Sequence, residues 1–112
     1  MSLQAVCLCA AWCRACEAYA PLFASIQPPW SARWIDIEDE AALVGDVEIE
    51  TFPTLLLFDD EAIRFAGPVR PDASTLQALL RAAEQGPTIA VEAPLAALVE
   101  RLRDDARRCC AP

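Results

Sequence analysis

The sequence predicts an α/β protein in which a mixed sheet is flanked by helices and the elements run βαβ, a short helix, then ββα. Three observations predict this class. Short apolar runs typical of buried strands alternate with longer stretches that carry apolar residues at helical spacing. Two of the apolar runs are separated only by the acidic residues 59–61, which indicates an antiparallel hairpin. The length of 112 residues suits one domain with a modest core.

The first strand and helix are predicted at the N-terminus. Residues 5–10 form an apolar run typical of a buried central strand. The following helix contains Pro21, which removes one backbone donor, and it is expected to end at the prolines of residues 28–29. Its apolar stripe consists of Tyr19, Leu22, Phe23 and Ile26.

The middle of the chain predicts a strand, a short helix and a hairpin. Residues 34–37 alternate between apolar and polar side chains, as a half-buried strand does. The acidic stretch 38–50 carries enough apolar residues before Gly45 for a short helix. The apolar segments 55–58 and 62–66 then form the antiparallel hairpin.

Two further helices are predicted near the C-terminus. Asp72 or Ser74 can cap the first of them, which is expected to end at residues 86–87. Its apolar face consists of Leu76, Leu79, Leu80 and Ala83. Residues 88–91 are a possible strand, and an amphipathic helix begins near Pro94. Its stripe over residues 95–102 either covers a bare part of the sheet or pairs with a second copy, which leaves monomer and weak homodimer open.

A pair of cysteines lies where the first strand gives way to the first helix. Cys13 and Cys16 are three positions apart, close enough to bridge on the first turn of a helix. The peptide N–H groups and the helix dipole at that turn favour a thiolate at the first cysteine. This spacing also occurs in zinc and haem sites, but Pro53, placed just before a distant strand, adds independent support for a dithiol redox site.

These residues resemble the thioredoxin family. The landmarks are Trp12 followed by the two cysteines, Pro21 after Cys16, Thr-Phe-Pro-Thr at residues 51–54, and Gly67 after the hairpin. The resemblance covers roughly the first three quarters of the chain. It implies a thioredoxin-like domain over residues 1–86 that lacks the N-terminal strand and helix of ordinary thioredoxins. Residues 87–112 would be an extension with a helix at about 94–108.

The resemblance implies thiol–disulfide exchange with no cofactor. Cys13, the more exposed cysteine, would attack a substrate disulfide, and Cys16 would resolve the mixed disulfide. Pro53 is expected to be cis and to place the Phe52 backbone beside Cys13, where it pairs with an extended substrate. Trp12 would shield one side of the site, and Gly67 would leave room for the substrate. The alternative for Pro53 is an ordinary turn at the start of a strand.

Arg14 and Ala15 stand where thioredoxins have Gly-Pro between the cysteines. We expect Arg14 to tune the nucleophile, because a permanent cation favours the thiolate and stabilises the reduced form. The couple would then be more oxidising than that of thioredoxin, whose potential is about −270 mV. The alternative is that Arg14 points into solvent and is screened.

Thioredoxins usually bury an Asp and a Lys beneath the site, where they assist proton removal from the resolving cysteine. Gapless counting places Cys7 at the acid position and Trp34 at the lysine position. An apolar pair would then replace a charge pair, which spares desolvation cost but removes the proton acceptor. We therefore expect resolution by Cys16 to be slower than in a thioredoxin, unless water or Cys7 substitutes.

Four further cysteines are possible accessory thiols. Cys7 and Cys9 share one face of a strand, the face that leans toward the motif helix in this family. They are either small buried hydrophobes or, together with Cys13 and Cys16, a thiolate set for zinc or an iron–sulfur cluster. Two adjacent cysteines near the C-terminus could pass electrons to the motif, hold a soft metal ion or belong to an idle terminus. These are Cys109 and Cys110.

Composition excludes several classes of function. The net charge of −8 argues against DNA or RNA as a partner, and the absence of histidine excludes imidazole-dependent catalysis and His-ligated metals. No secretory signal or membrane-length apolar run is present, so a cytoplasmic location is expected, provided no leader was removed. The sequence predicts an oxidoreductase acting on protein disulfides, with an unidentified reductase or oxidant as its redox partner. The alternatives are a non-catalytic adaptor or chaperone-like module and a thiolate metal-binding protein.

Overall fold

The computed structural model describes residues 3–45 and 47–109, and the side chains only as far as residue 106 at the C-terminal end. The described residues form four strands and four helices. They follow the order that the sequence predicts, and the last helix is the predicted C-terminal one. The strands are β1 (Leu3–Cys9), β2 (Trp30–Asp36), β3 (Thr54–Phe58) and β4 (Ile63–Pro68). The helices are α1 (Arg14–Ala24), α2 (Ala41–Val44), α3 (Ala73–Gln85) and α4 (Ala93–Cys109).

The strands form one mixed sheet in the order β2-β1-β3-β4. Strand β1 pairs in parallel with β2 and antiparallel with β3, and β3 pairs antiparallel with β4. The two central strands, β1 and β3, are buried almost throughout, because helices cover both of their faces. A continuous apolar run in each of them is the sequence signature of that burial.

Helices α1 and α3 cover one face of the sheet. Their apolar side chains pack on the odd-numbered residues of β1 and β3, which point to this face because side chains alternate along a strand. Asp72 caps α3 by accepting a hydrogen bond from the Thr75 N–H at 2.8 Å, which confirms one of the two predicted caps. That bond and the neighbouring hydroxyl donors lower the pKa of Asp72 to about 2.

Helix α4 covers the opposite face, together with α2. Its buried residues Leu98, Val99 and Leu102 pack in one apolar cluster with the even-numbered residues of β1 and β3. The amphipathic stripe of residues 95–102 therefore packs within its own chain, which is the first of the two arrangements that the sequence left open. Covering this face removes apolar surface from water, and that burial is what holds α4 to the sheet.

Three arginines fix the position of α4. Arg101 donates to the carbonyls of Leu43 and Val44 at 2.7 and 2.8 Å and so satisfies the C-terminal end of α2. Arg103 is buried and donates to the Asp59 carbonyl at 2.9 Å. Arg33 of β2 pairs with Asp105 of α4 at 2.5 Å. These contacts set the register of α4 on the sheet, whereas the apolar face supplies its attachment.

The possible strand at residues 88–91 is not formed. Within the described residues, this segment makes a single bridge, between Ile89 and Ile63 at the edge of β4. Its position beside the edge strand explains the strand-like composition, but one bridged pair is too short for a ladder. The segment instead connects α3 to α4 across the end of the sheet.

Candidate functional site

The two motif cysteines lie at the start of α1, directly after the central strand β1. Cys13 occupies the N-cap position with extended backbone, and its N–H donates to the Ala10 carbonyl at 3.0 Å. Its side chain makes no capping hydrogen bond, so the sulfur is left at the positive end of the helix dipole. Cys16 follows one turn later. This junction of strand and helix is the one that the sequence predicts.

The two thiols differ in exposure. Cys13 is half-buried, whereas Cys16 is only 2% exposed. Burial raises the pKa of the Cys16 thiol, and its interactions with the Cys9 and Cys13 thiols act in the same direction. A reagent from solvent can therefore reach Cys13, while Cys16 is protected behind it as a neutral thiol. Both are free cysteines here.

A second segment reaches the site from the start of β3. The peptide bond between Phe52 and Pro53 is cis, as expected from the sequence. The Phe52 carbonyl oxygen lies 4.0 Å from Cys13 Sγ, and the Phe52 ring meets the Trp12 ring edge-on with 5.6 Å between centroids. Trp12 is 68% exposed, so it forms an apolar projection beside the sulfur. Three sequence-predicted residues are thus brought together around Cys13.

Gly67 lies on the neighbouring strand, paired with Leu55 of β3. A Cβ atom added at Gly67 would lie 3.7 Å from the Phe65 ring, which is ordinary van der Waals contact. Packing within the described chain therefore does not require glycine at this position. Arg14, the first residue of α1, is exposed to solvent at the helix start.

The positions beneath the site are occupied as the counting predicts. Cys7 is fully buried and lies opposite both Trp34 of β2 and Leu55 of β3 in the strand register. Trp34 packs edge-on against Phe23 at 5.8 Å, but 37% of it remains exposed. Two apolar side chains thus occupy the counted positions, but only Cys7 is buried, whereas the Trp34 indole packs against α1 and stays partly exposed.

A cluster of thiols continues inward from Cys16. The Cys7 and Cys9 sulfurs are 3.4 Å apart, and both residues pack in the core with Cys16 and Tyr19. Two main causes raise the pKa of the Cys9 thiol: the hydrogen bond with Cys7 is the larger, and burial is the next. Cys7 and Cys9 therefore face the motif helix, as predicted. Within the described residues, no group of three or more Cys, Asp or Glu side chains is arranged to hold a metal ion.

Sequence reasoning did not predict that the hydroxyl of Tyr19 is buried. Its ring belongs to the predicted apolar stripe of α1, but its hydroxyl is buried and makes no hydrogen bond to the residues described. Burial raises the pKa of this hydroxyl, so it stays protonated. Only the phenolic oxygen distinguishes this position from the other apolar ones, and helical spacing cannot reveal where that atom points.

The side chains of the two C-terminal cysteines, for which the sequence suggests a possible accessory role, lie outside the described part of the structure. Cys109 is the last residue of α4, and its side chain lies outside the described part of the structure. Cys110 lies beyond the described residues altogether. Their thiol chemistry therefore stays a prediction from sequence.

The mixed four-stranded sheet, with helices on both faces and one more at the C-terminus, defines an α/β protein of the thioredoxin fold. A family model described as Thioredoxin matches residues 3–82. The chain therefore belongs to the thioredoxin family. No curated protein sequence matches it. None of the helices described is long and apolar enough to cross a bilayer.

Solved thioredoxin structures resemble this fold at low sequence identity. A mutant thioredoxin from Halobacterium salinarum is 22% identical over 81% of this chain and 79% of its own, with a TM-score of 0.63. Thioredoxin from Malassezia sympodialis is 23% identical over 73% of this chain and 76% of its own, with a TM-score of 0.59. The germline-specific thioredoxin Deadhead from Drosophila melanogaster, with a TM-score of 0.62, is 15% identical over 71% of this chain and 79% of its own. These similarities concern the fold.

Proposed function

We propose that the protein is a thiol–disulfide oxidoreductase that acts on disulfides of other proteins through Cys13 and Cys16. The observation that carries the proposal is the difference between the two thiols. Cys13 is reachable at a helix N-terminus, 4.0 Å from a backbone carbonyl of the segment before Pro53, and Cys16 is buried one turn away. That asymmetry assigns attack to one sulfur and resolution to the other.

The reaction follows from this assignment. The Cys13 thiolate attacks one sulfur of the substrate disulfide, the substrate S–S bond breaks, and the first substrate thiolate leaves and takes up a proton. Cys16 then loses its proton and attacks Cys13 Sγ, which releases the second substrate thiolate. Two electrons pass to the substrate, and the protein is left with a Cys13–Cys16 disulfide. The reverse sequence oxidises a dithiol substrate.

Four residues are proposed to bind the substrate, namely Trp12, Phe52, Pro53 and Gly67. The exposed Trp12 ring offers apolar contact, and the Phe52 backbone beside the sulfur can pair with an extended substrate segment. Gly67 supports this assignment because packing within the chain leaves room for a side chain there. Pro53 ends the segment and lies directly before β3.

Arg14 and Cys7 are proposed to set the potential and the rate. The exposed guanidinium of Arg14 at the start of α1 favours the reduced, thiolate form, so we expect a more oxidising couple than that of thioredoxin. Cys16 must lose a proton to resolve the intermediate, yet burial raises its pKa and the acid position beneath it holds Cys7. We therefore expect resolution to be the slow step.

Insulin reduction by dithiothreitol tests the proposed function. We expect the wild-type protein to accelerate it and the Cys13→Ser variant to fall to the uncatalysed rate, because a hydroxyl cannot exchange with a disulfide. The double variant Cys109→Ser/Cys110→Ser is the control for the other thiols, and it should keep the wild-type rate. Wild-type turnover no faster than background would reject the enzymatic function, and loss of turnover in the control would assign an accessory role to the terminal pair.

A non-catalytic adaptor is the competing function. The observation that favours it is the buried Cys7, at the position where thioredoxins have a proton-accepting acid. Without that acid the fold could be kept while thiol exchange is lost. The same insulin assay separates the two, because an adaptor would bind its partner without accelerating reduction.

A further inference from the structure

A groove lies beside the candidate site, on the side of the sheet that α4 covers. Its volume is about 750 Å³, within the range of about 300–1,000 Å³ that is typical of ligand sites. Three separate parts of the chain form its walls: the loop 47–51, the end of β4, and the segment that leads into α4. The segment that leads into α4 belongs to the C-terminal extension, so the extension supplies one of the three walls.

The groove shares a residue with the proposed substrate surface and adjoins another. Thr51 lines it, and the next residue, Phe52, has its carbonyl 4.0 Å from Cys13 Sγ. Gly67, which we assign to substrate binding, also lines the groove. A polypeptide held at Phe52 and Gly67 can therefore extend from the sulfur into the groove without leaving the protein surface.

The lining combines apolar side chains with negative charge. Half-buried apolar residues contribute surface from the loop and from the start of α4, among them Val47, Ile49 and Leu95. Three exposed glutamates stand around them, namely Glu48, Glu50 and Glu92. The described lining residues include no arginine, so no nearby cation in the lining compensates these carboxylates. The complementary ligand carries positive charge next to an apolar side chain.

We propose that the groove binds the segment of a substrate protein next to its reactive disulfide, and that it selects segments with arginine or lysine beside an apolar residue. This inference rests on the proposed function and adds the substrate class to it. The glutamates attract the basic side chains, and the apolar lining buries the residue between them. Selection by charge is then separate from the exchange chemistry at Cys13.

Two disulfide peptides of equal length test the selection. Each carries the same disulfide and one leucine, flanked by two arginines in the first peptide and by two glutamates in the second. We expect the wild-type protein to reduce the basic peptide with a kcat/KM about ten-fold higher, as two exposed ion pairs can provide. The preference should shrink in about 1 M salt, where the screening length is about 3 Å.

Matched charge variants locate the selection in the groove. Replacing all three groove glutamates by glutamine should reduce the preference for the basic peptide to less than about two-fold. The control removes the same number of negative charges at exposed positions outside the groove lining, and it should keep the full preference. It combines Asp39→Asn, Asp60→Asn and Glu61→Gln.

The outcomes separate this inference from the function on which it rests. If the wild-type protein reduces both peptides equally, or if the control loses the preference as fully as the groove variant does, the groove does not select substrates and the inference is overturned. If neither peptide is reduced by the wild-type protein, the proposed function itself fails. The ratio between the two peptides is measured within each variant, so partial loss of folding does not imitate a change in selection.

Discussion

Replacing Cys16 by serine is expected to turn the protein into a trap for its substrate. Cys13 of the Cys16→Ser variant still attacks, but the neighbouring hydroxyl cannot displace the captured sulfur, so the mixed disulfide accumulates. Incubation with oxidised insulin should yield a covalent adduct that non-reducing electrophoresis resolves and dithiothreitol releases. Peptide mass mapping should place the link at Cys13. Turnover should fall to the uncatalysed rate, as we expect for Cys13→Ser.

The double variant Cys13→Ser/Cys16→Ser is the matched control for the trap. It keeps the other four cysteines, so an adduct formed by this variant would mean that another thiol attacks the substrate. The burial of Cys7 and Cys9 argues that neither of these two will form one. An adduct of the single variant that maps to any cysteine other than Cys13 would contradict the roles assigned to the motif.

Replacing Leu98 by alanine is expected to cost about 2–5 kcal/mol of unfolding free energy. Leu98 is fully buried in α4 and packs in one cluster with Leu8, Leu56 and Phe58 on the sheet. The substitution removes buried methyl groups and leaves a cavity that the central strands cannot collapse to fill. Urea denaturation monitored by tryptophan fluorescence measures the loss of unfolding free energy.

Leu95→Ala, the same substitution one turn earlier in α4, is its matched control. Leu95 is only partly buried and lines the open groove, so its truncation should cost less than half as much as Leu98→Ala. Equal losses at both positions would contradict the packing of α4 on the sheet. A loss below about 1 kcal/mol at Leu98 would show that α4 does not pack on the sheet in solution.

Sequence alone was sufficient where a pattern is local. The apolar runs of the central strands predicted β1 and β3 because buried strands show no alternation. The cysteine spacing, the preceding apolar run and the helical spacing that follows placed Cys13 at the start of α1. Counting from the landmarks assigned Cys7 and Trp34 to two neighbouring strands, and the two residues are opposite each other in the register of β1 and β2.

The remaining features depend on contacts between distant residues. The sequence showed the apolar stripe of α4. Whether that stripe packs on the sheet of the same chain or on a second copy of the protein depends on contacts between distant residues, such as that of Arg101 with α2. The segment around Ile89 resembles a strand, yet only one residue meets the edge of β4. The groove is formed by three segments that are far apart in the sequence, so no motif marks it. The exposure of Trp34 likewise depends on how α1 crosses the sheet.

The most direct test of the central claim is a redox titration in glutathione buffers with the disulfides mapped by mass spectrometry at each potential. We predict one reversible two-electron transition, with the bond between Cys13 and Cys16 as the species formed, at a potential above the about −270 mV of thioredoxin. Arg14→Ala should shift it to a more negative value, because removing the cation favours the disulfide. A reversible bond between any other pair, or no bond between Cys13 and Cys16 at any potential, would contradict the account.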